Sequence, residues 1–277
     1  MSALSRILAI AGQEIRLARR NRWLVLAMAL LTLFALSLSV MGAGQGAALA
    51  ADAMQVGAAG LATLSVYLVP LIALLLSYDS IAGEVERGTL ALTLATPLRR
   101  WEMFVAKFAA QTGIVALAVL LGFGIAGAVV AAFWPVGADG LAAWARLMAT
   151  SVLLGAVFVA MGLAVSARAG RTATAAALAV GLWLVLVVLY DLALLGGVMV
   201  DRGGTFTTQV FPWAVLANPA DAFRLYNLAL VETAPVAGID GLSRSFPAPV
   251  WTALLVLAGW LAGLLALGIA FAKRIVP

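Results

Sequence analysis

The stretch Val56–Ser77, VGAAGLATLSVYLVPLIALLLS, decides the fold. It contains no Lys, Arg, Asp or Glu, and its length matches the roughly 20 residues an α-helix needs to cross the hydrocarbon of a bilayer. No water is available there, so every backbone N–H and C=O must be paired within the segment, which for a single run means a helix. Five further stretches read the same way: Trp23–Met41, Phe108–Phe133, Leu147–Val165, Ala173–Leu189 and Val250–Ala272. Across 277 residues the chain is 65% hydrophobic and 10% charged, more apolar side chain than a water-soluble core of this size can hide. The expectation is an all-α integral membrane protein, one domain over residues 1–277 with six transmembrane helices.

Charge gives the expected orientation. Only Arg146, Arg202, Arg224 and Arg244 of the 17 basic residues fall on one side of the implied membrane. The others sit in the N-terminal segment, in the connections after spans two and four, and in the tail, so the positive-inside rule puts both termini in the cytoplasm. The same asymmetry explains the net charge of +5 without a nucleic-acid partner. Five more spans follow Trp23–Met41, which is therefore read as an anchor and not as a cleaved leader.

The chain has no cysteine and no histidine. That removes disulfides, the common soft-metal ligands, and the nucleophile–base pairs or HExxH motifs that intramembrane hydrolysis requires. No catalytic residue and no metal site is expected. No charged residue lies near the centre of a span, which argues against a proton-coupled carrier or a channel with a charged filter. Tyr78 and Asp79 are read at one interface, Tyr190 and Asp191 at the other. Pro70 is expected to kink span two.

Residues 1–22 place Leu4, Ile7, Leu8, Ala11, Ile15 and Ala18 on one helical face and Arg6, Gln13, Arg16 and Arg20 on the other. This reads either as an amphipathic helix on the inner membrane surface or as a basic flank that only sets orientation. The outer connections Gly42–Gln55 and Trp134–Arg146 are short. The last, Tyr190–Pro249, is long, with a short helix expected over Pro219–Val231. Its aromatics favour packing over disorder. Phe211, Trp213, Asn218, Asp221, Phe223, Arg224 and Tyr226 are the residues expected to dock an external partner; the competing reading of the aromatics is a belt at the outer interface.

Between spans two and three lies SIAGEVERGTLALTLATPLRRWEMFVAKF, Ser80–Phe108. Acidic residues cluster before Gly88; an apolar run, a turn at Thr96 and Pro97, the pair Arg99 and Arg100, and finally Lys107 follow. A short surface helix ending in a charged tip fits this pattern, against a plain solvated loop. Gly83 and Gly88 have the glycine spacing of a P-loop, but Thr89 stands where its lysine must be.

This segment resembles the signature region of ABC-2-type transporter permeases, in Glu84, Glu86, Arg87, Gly88, Thr89 and Leu90, then Pro97, Leu98, Arg99 and Arg100, then Lys107. The six spans and the charge asymmetry agree with that family over the whole chain. The resemblance implies that Ile81, Glu84, Val85, Glu86, Arg87 and Gly88 form a coupling helix against a cytoplasmic ATPase. It also implies two copies of the chain, two ATPase subunits holding ATP and Mg, and a bacterial inner membrane. Within the family, LSYDSIAGEVERGTLALTLATPLRRWEMFVAKF and LANPADAFRLYNLALVE resemble permeases that serve copper-site maturation of nitrous oxide reductase. That subgroup implies a periplasmic copper-binding partner docked on the last outer loop. With no Cys or His, and with Met28, Met148 and Met161 read as packing residues, a mechanical role is at least as plausible as direct copper conduction. The alternatives are an exporter permease for a lipid, drug or polysaccharide, and a membrane scaffold without a transport cycle.

Overall fold

The structure is a computed structural model that describes residues 8–12, 14, 16, 22–48, 52–90, 99–229 and 247–275. The helices are α1 (Arg22–Ala48), α2 (Ala53–Ser77), α3 (Asp79–Glu86), α4 (Arg100–Phe133), α5 (Ala138–Ala169), α6 (Thr172–Trp183), α7 (Tyr190–Asp201), α8 (Phe211–Ala217), α9 (Pro219–Ala229) and α10 (Thr252–Lys273). A π-helical stretch, Leu184–Leu189, joins α6 to α7 without a break, and a second, Phe206–Val210, leads into α8. Six helices are long and apolar enough to span a membrane: α1, α2, α4, α5, the composite α6–α7, and α10.

Spans two, three and four form the centre, and spans one, five and six pack around them. Small residues let the helices approach closely, the usual basis of helix association in lipid. A Cβ on Gly162 of span four would run into the Ser77 hydroxyl of span two, and one on Gly127 of span three would lie 2.6 Å from the indole nitrogen of Trp144. That nitrogen instead donates to the Phe123 carbonyl at 3.0 Å. Three buried serines in the bundle are satisfied locally: the Ser39, Ser65 and Ser77 hydroxyls each donate to the carbonyl four residues back.

The bundle has two distinct ends. At one, α3 lies across the C-terminal end of span four. At the other, Asp52 caps α2 by accepting from the Met54 and Gln55 N–H groups at 2.8 and 3.2 Å, and its second oxygen accepts from Gly137 at 2.7 Å. One carboxylate thus holds the starts of spans two and four together. α9 is inserted at this second end among spans two, four, five and six.

Several boundaries differ from the sequence reading. Spans three and four start earlier, at Arg100 and Ala138, because charged residues near a helix end can pair or reach water and need not end the helix. Span five does not stop at Leu189. It continues to Asp201, 30 residues in all, or about 45 Å against a hydrocarbon core of about 30 Å. Tyr190 and Asp191 therefore lie inside a continuous helix. Span two runs unbroken through the buried Pro70. The helix expected to reach Val231 is described to Ala229. The N-terminal face residues Leu4, Arg6, Ile7, Gln13, Ile15, Ala18 and Arg20, the turn residues Thr96, Pro97 and Leu98, and Arg244 lie outside the described residues.

Candidate functional site

The acidic, glycine-centred segment forms α3, which ends where Gly88 takes the left-handed conformation, φ 69°, that glycine adopts at little cost. The start of α3 is fastened to span four. The Ile81 and Ala82 N–H groups, left without intrahelical partners in the first turn, both donate to the Ser166 hydroxyl at 2.9 Å. The Ile81 side chain is fully buried.

The body of α3 is fastened to span three. Lys107, only 1% exposed, donates from its ammonium to Glu84 Oε1 at 2.7 Å and also to the Glu14 carboxylate. A buried ammonium is tolerated only when paired, and here two carboxylates share it. The end of α3 is fastened to span five. Glu86 Oε2 accepts from the Thr172 backbone N–H at 2.9 Å, an orphan donor at the start of α6, and the Thr172 hydroxyl donates to Asp79 at 3.0 Å. Spans three, four and five are thus each tied to one eight-residue helix, and the N-terminal turn joins the junction through Lys107.

The expected coupling set therefore splits. Ile81 is buried and Glu84 and Val85 are half-buried, whereas Glu86, Arg87, Gly88 and Thr89 are exposed. Arg87 makes one long contact with Asp79, 3.5 Å, and its side chain is otherwise in the open. Exposed Arg168, Arg171, Lys273 and Arg274 lie at this same end.

At the opposite end the structure places the expected docking residues differently. Phe211, Asn218, Asp221, Phe223 and Arg224 are all buried within the chain, Tyr226 is half-buried, and Trp213 is 53% exposed. The reason is that α9 is buried nearly all round, so its polar residues Asp221, Arg224 and Asn227, with Asn218 just before it, find their partners inside the chain. Arg224 donates to both carboxylate oxygens of Asp191 in span five, at 2.7 and 3.1 Å, and also to Asp221 one turn back. Asn218 donates to the Leu186 carbonyl at 2.6 Å, and Asn227 to the Thr150 hydroxyl of span four at 2.9 Å. Tyr190 donates to the Ala214 carbonyl at 2.7 Å, and Trp260 of span six to that of Ala217 at 2.9 Å.

Arg224, Asp191 and Asp221 thus form an ion-pair cluster buried within the chain. Asp191 was placed at an interface because the span was expected to end two residues before it. Asn227 and Thr150 were not anticipated, although the three-residue repeat of polar positions in Asn218–Asn227 is visible in the sequence. Burial pushes the Asp221 carboxyl up to about 7, with Asp191 adding to the effect and Arg224 opposing it. Among the described residues no group of three carboxylates is arranged to hold a metal ion.

The six-span helical bundle agrees with what the comparisons show. The chain belongs to the ABC-2 family of transporter proteins, whose family model matches residues 8–274. It is 39% identical over 267 residues to the probable ABC transporter permease protein NosY of Pseudomonas aeruginosa, covering 96% of this chain and 97% of that one. It is 38% identical over 268 residues to the probable ABC transporter permease protein NosY of Stutzerimonas stutzeri, with the same coverage.

Proposed function

We propose that this chain is the membrane subunit of an ABC transporter serving copper-site maturation of nitrous oxide reductase, and that α3 transmits the movement of a separate ATPase into the bundle. The observation that carries the mechanism is the clamp on α3. A push on its exposed tip, Glu86–Thr89, is resisted by hydrogen bonds to Ser166, Lys107 and Thr172, one on each of three spans. Movement of α3 therefore moves the ends of spans three, four and five together, the kind of concerted shift between discrete packings that switches an interface. Arg87 and Glu86 present charge to the docking cleft, and the ATP and Mg belong to the ATPase.

The end carrying α3 faces the cytoplasm in this reading. Arg168, Arg171, Lys273 and Arg274 gather there, as the positive-inside rule requires in a bacterial inner membrane. Two copies of the chain work with two ATPase subunits. A periplasmic copper-binding partner docks at the opposite end, where the tip of span five and α8 present Met199, Val200, Val210 and Trp213 in exposed positions. ATP hydrolysis inside reshapes that partner outside, and the sparse supply of soft ligands in this chain favours mechanical transmission over copper conduction.

The test is ATPase activity and nitrous oxide reductase maturation in membranes carrying Arg87→Glu. Retained chain with lost maturation is expected. Unchanged assembly with the ATPase together with unchanged maturation overturns the coupling assignment. ATPase stimulation by a lipid, drug or polysaccharide, with no dependence on a periplasmic partner, would favour a conventional exporter.

A further inference from the structure

Span five is the one span interrupted by a π-helical stretch among the described residues, and that stretch lies beside Asn218, the residue before α9. In it the Tyr190 N–H donates to the Val185 carbonyl, five residues back. Regular α-helix geometry would instead send that N–H to Leu186. Freed from it, the Leu186 carbonyl accepts from the Asn218 side chain at 2.6 Å. A carbonyl inside a membrane protein needs a partner, and here α9 supplies it.

We propose that span five is a two-state element whose π-helical stretch converts to regular α-helix during the transport cycle, releasing α9. The conversion returns the Tyr190 N–H to Leu186, so the Asn218 bond becomes dispensable at the moment it breaks. A π-helical stretch is underwound, and restoring one residue's worth of winding turns the outer half of the span by about 100° relative to the inner half. That rotation carries Asp191 away from Arg224 and Tyr190 away from Ala214. Arg224 is not stranded, because Asp221, three residues earlier on its own helix, already holds the same guanidinium. A buried cation that keeps one of its two carboxylates throughout avoids the penalty of an unpaired charge. The span is also lightly attached: among its described residues only Ala175, Ala179, Val187 and Leu194 are fully buried.

The inference rests on the permease reading, and its test separates the two. The chain has no cysteine, so single introduced cysteines report cleanly. Leu194→Cys lies on the outer half of span five, buried against Phe211 and Val215, and Ala179→Cys lies buried on the inner half. Labelling by a polar maleimide is followed in the permease–ATPase complex with and without ATP and vanadate. Leu194→Cys is expected to label several-fold faster in one nucleotide state while Ala179→Cys stays protected. Equal change at both positions means the span moves as a rigid rod, and no change at either means it does not move; both overturn the proposal. In a second arm Asn218→Ala is expected to raise Leu194→Cys labelling without nucleotide, and unchanged labelling in this folded variant counts against the latch. If no ATPase copurifies, the permease reading fails, while the second arm still tests the latch.

Discussion

Lys107 and Glu84 lie 23 residues apart on different helices, and the lysine ammonium, buried at the foot of span three, meets the Glu84 carboxylate of α3 at 2.7 Å. The same ammonium holds Glu14 of the N-terminal turn. Two carboxylates on one buried lysine make a junction in which each partner backs up the other.

The junction predicts non-additive mutations. Glu84→Gln and Glu14→Gln each leave the ammonium with one carboxylate and should cost about 1 kcal/mol, whereas the double variant leaves a buried unpaired charge and should cost roughly 3–5 kcal/mol. Melting of the detergent-solubilised chain, read as a double-mutant cycle, checks this. Additive losses would mean that the two carboxylates do not share the lysine.

Arg87→Glu should act on assembly and not on folding. The Arg87 guanidinium is exposed and its contact with Asp79 is long, so an ion pair of this kind contributes about 0–1 kcal/mol. The melting temperature should stay near that of the unaltered chain while copurification of the ATPase falls. A large fall in melting temperature would show that Arg87 holds this chain together.

Trp213→Ala should weaken capture of the periplasmic partner about tenfold, corresponding to about 1.4 kcal/mol, without affecting ATPase assembly. Trp213 is the exposed aromatic of the expected docking set. Arg224→Ala should instead lower stability, since it leaves Asp191 and Asp221 buried without their cation. Partner binding titrated against each variant separates the two effects.

The Asp221 carboxyl makes stability depend on pH. Its value is raised from 3.8 to about 7, so the folded chain holds this proton more tightly than the unfolded chain does. The stabilising contribution is complete below about 4 and is lost as pH rises through 7. Asp191, Arg224 and Tyr190 act on the group, and Tyr67 faces Arg224. Asp221→Asn should flatten the pH dependence of melting between pH 4 and 8, and an unchanged profile would show that the slope arises elsewhere.

The spans were legible because hydrocarbon imposes a length and excludes charge, and both constraints are written in single residues from Val56 to Ser77. Their ends were not. Counting charge-free residues stops a helix at Leu189, but Asp191 has Arg224 as a partner supplied by a segment 33 residues later, and a pairing at that distance leaves no local trace. The acidic segment was recognisable as a short helix, yet nothing in its own sequence shows that Ser166 and Thr172 would fasten it. The polar positions Asn218, Asp221, Arg224 and Asn227 are readable as a repeat of three, which winds around an α-helix and marks no single face. Whether those side chains met water or the bundle depended on α9 being inserted among the spans, which is a tertiary fact. The π-helical stretch is equally silent, since Leu184–Leu189 is uniformly apolar.

The central claim is that α3 couples this permease to an ATPase. The direct measurement is a mild-detergent pull-down of the tagged chain from its native membrane, with the unaltered chain and Arg87→Glu compared by mass spectrometry. The account predicts an ABC ATPase together with a periplasmic copper-binding protein in the first sample, and loss of the ATPase in the second from a chain that remains folded. An ATPase recovered equally from both, or from neither, would contradict it.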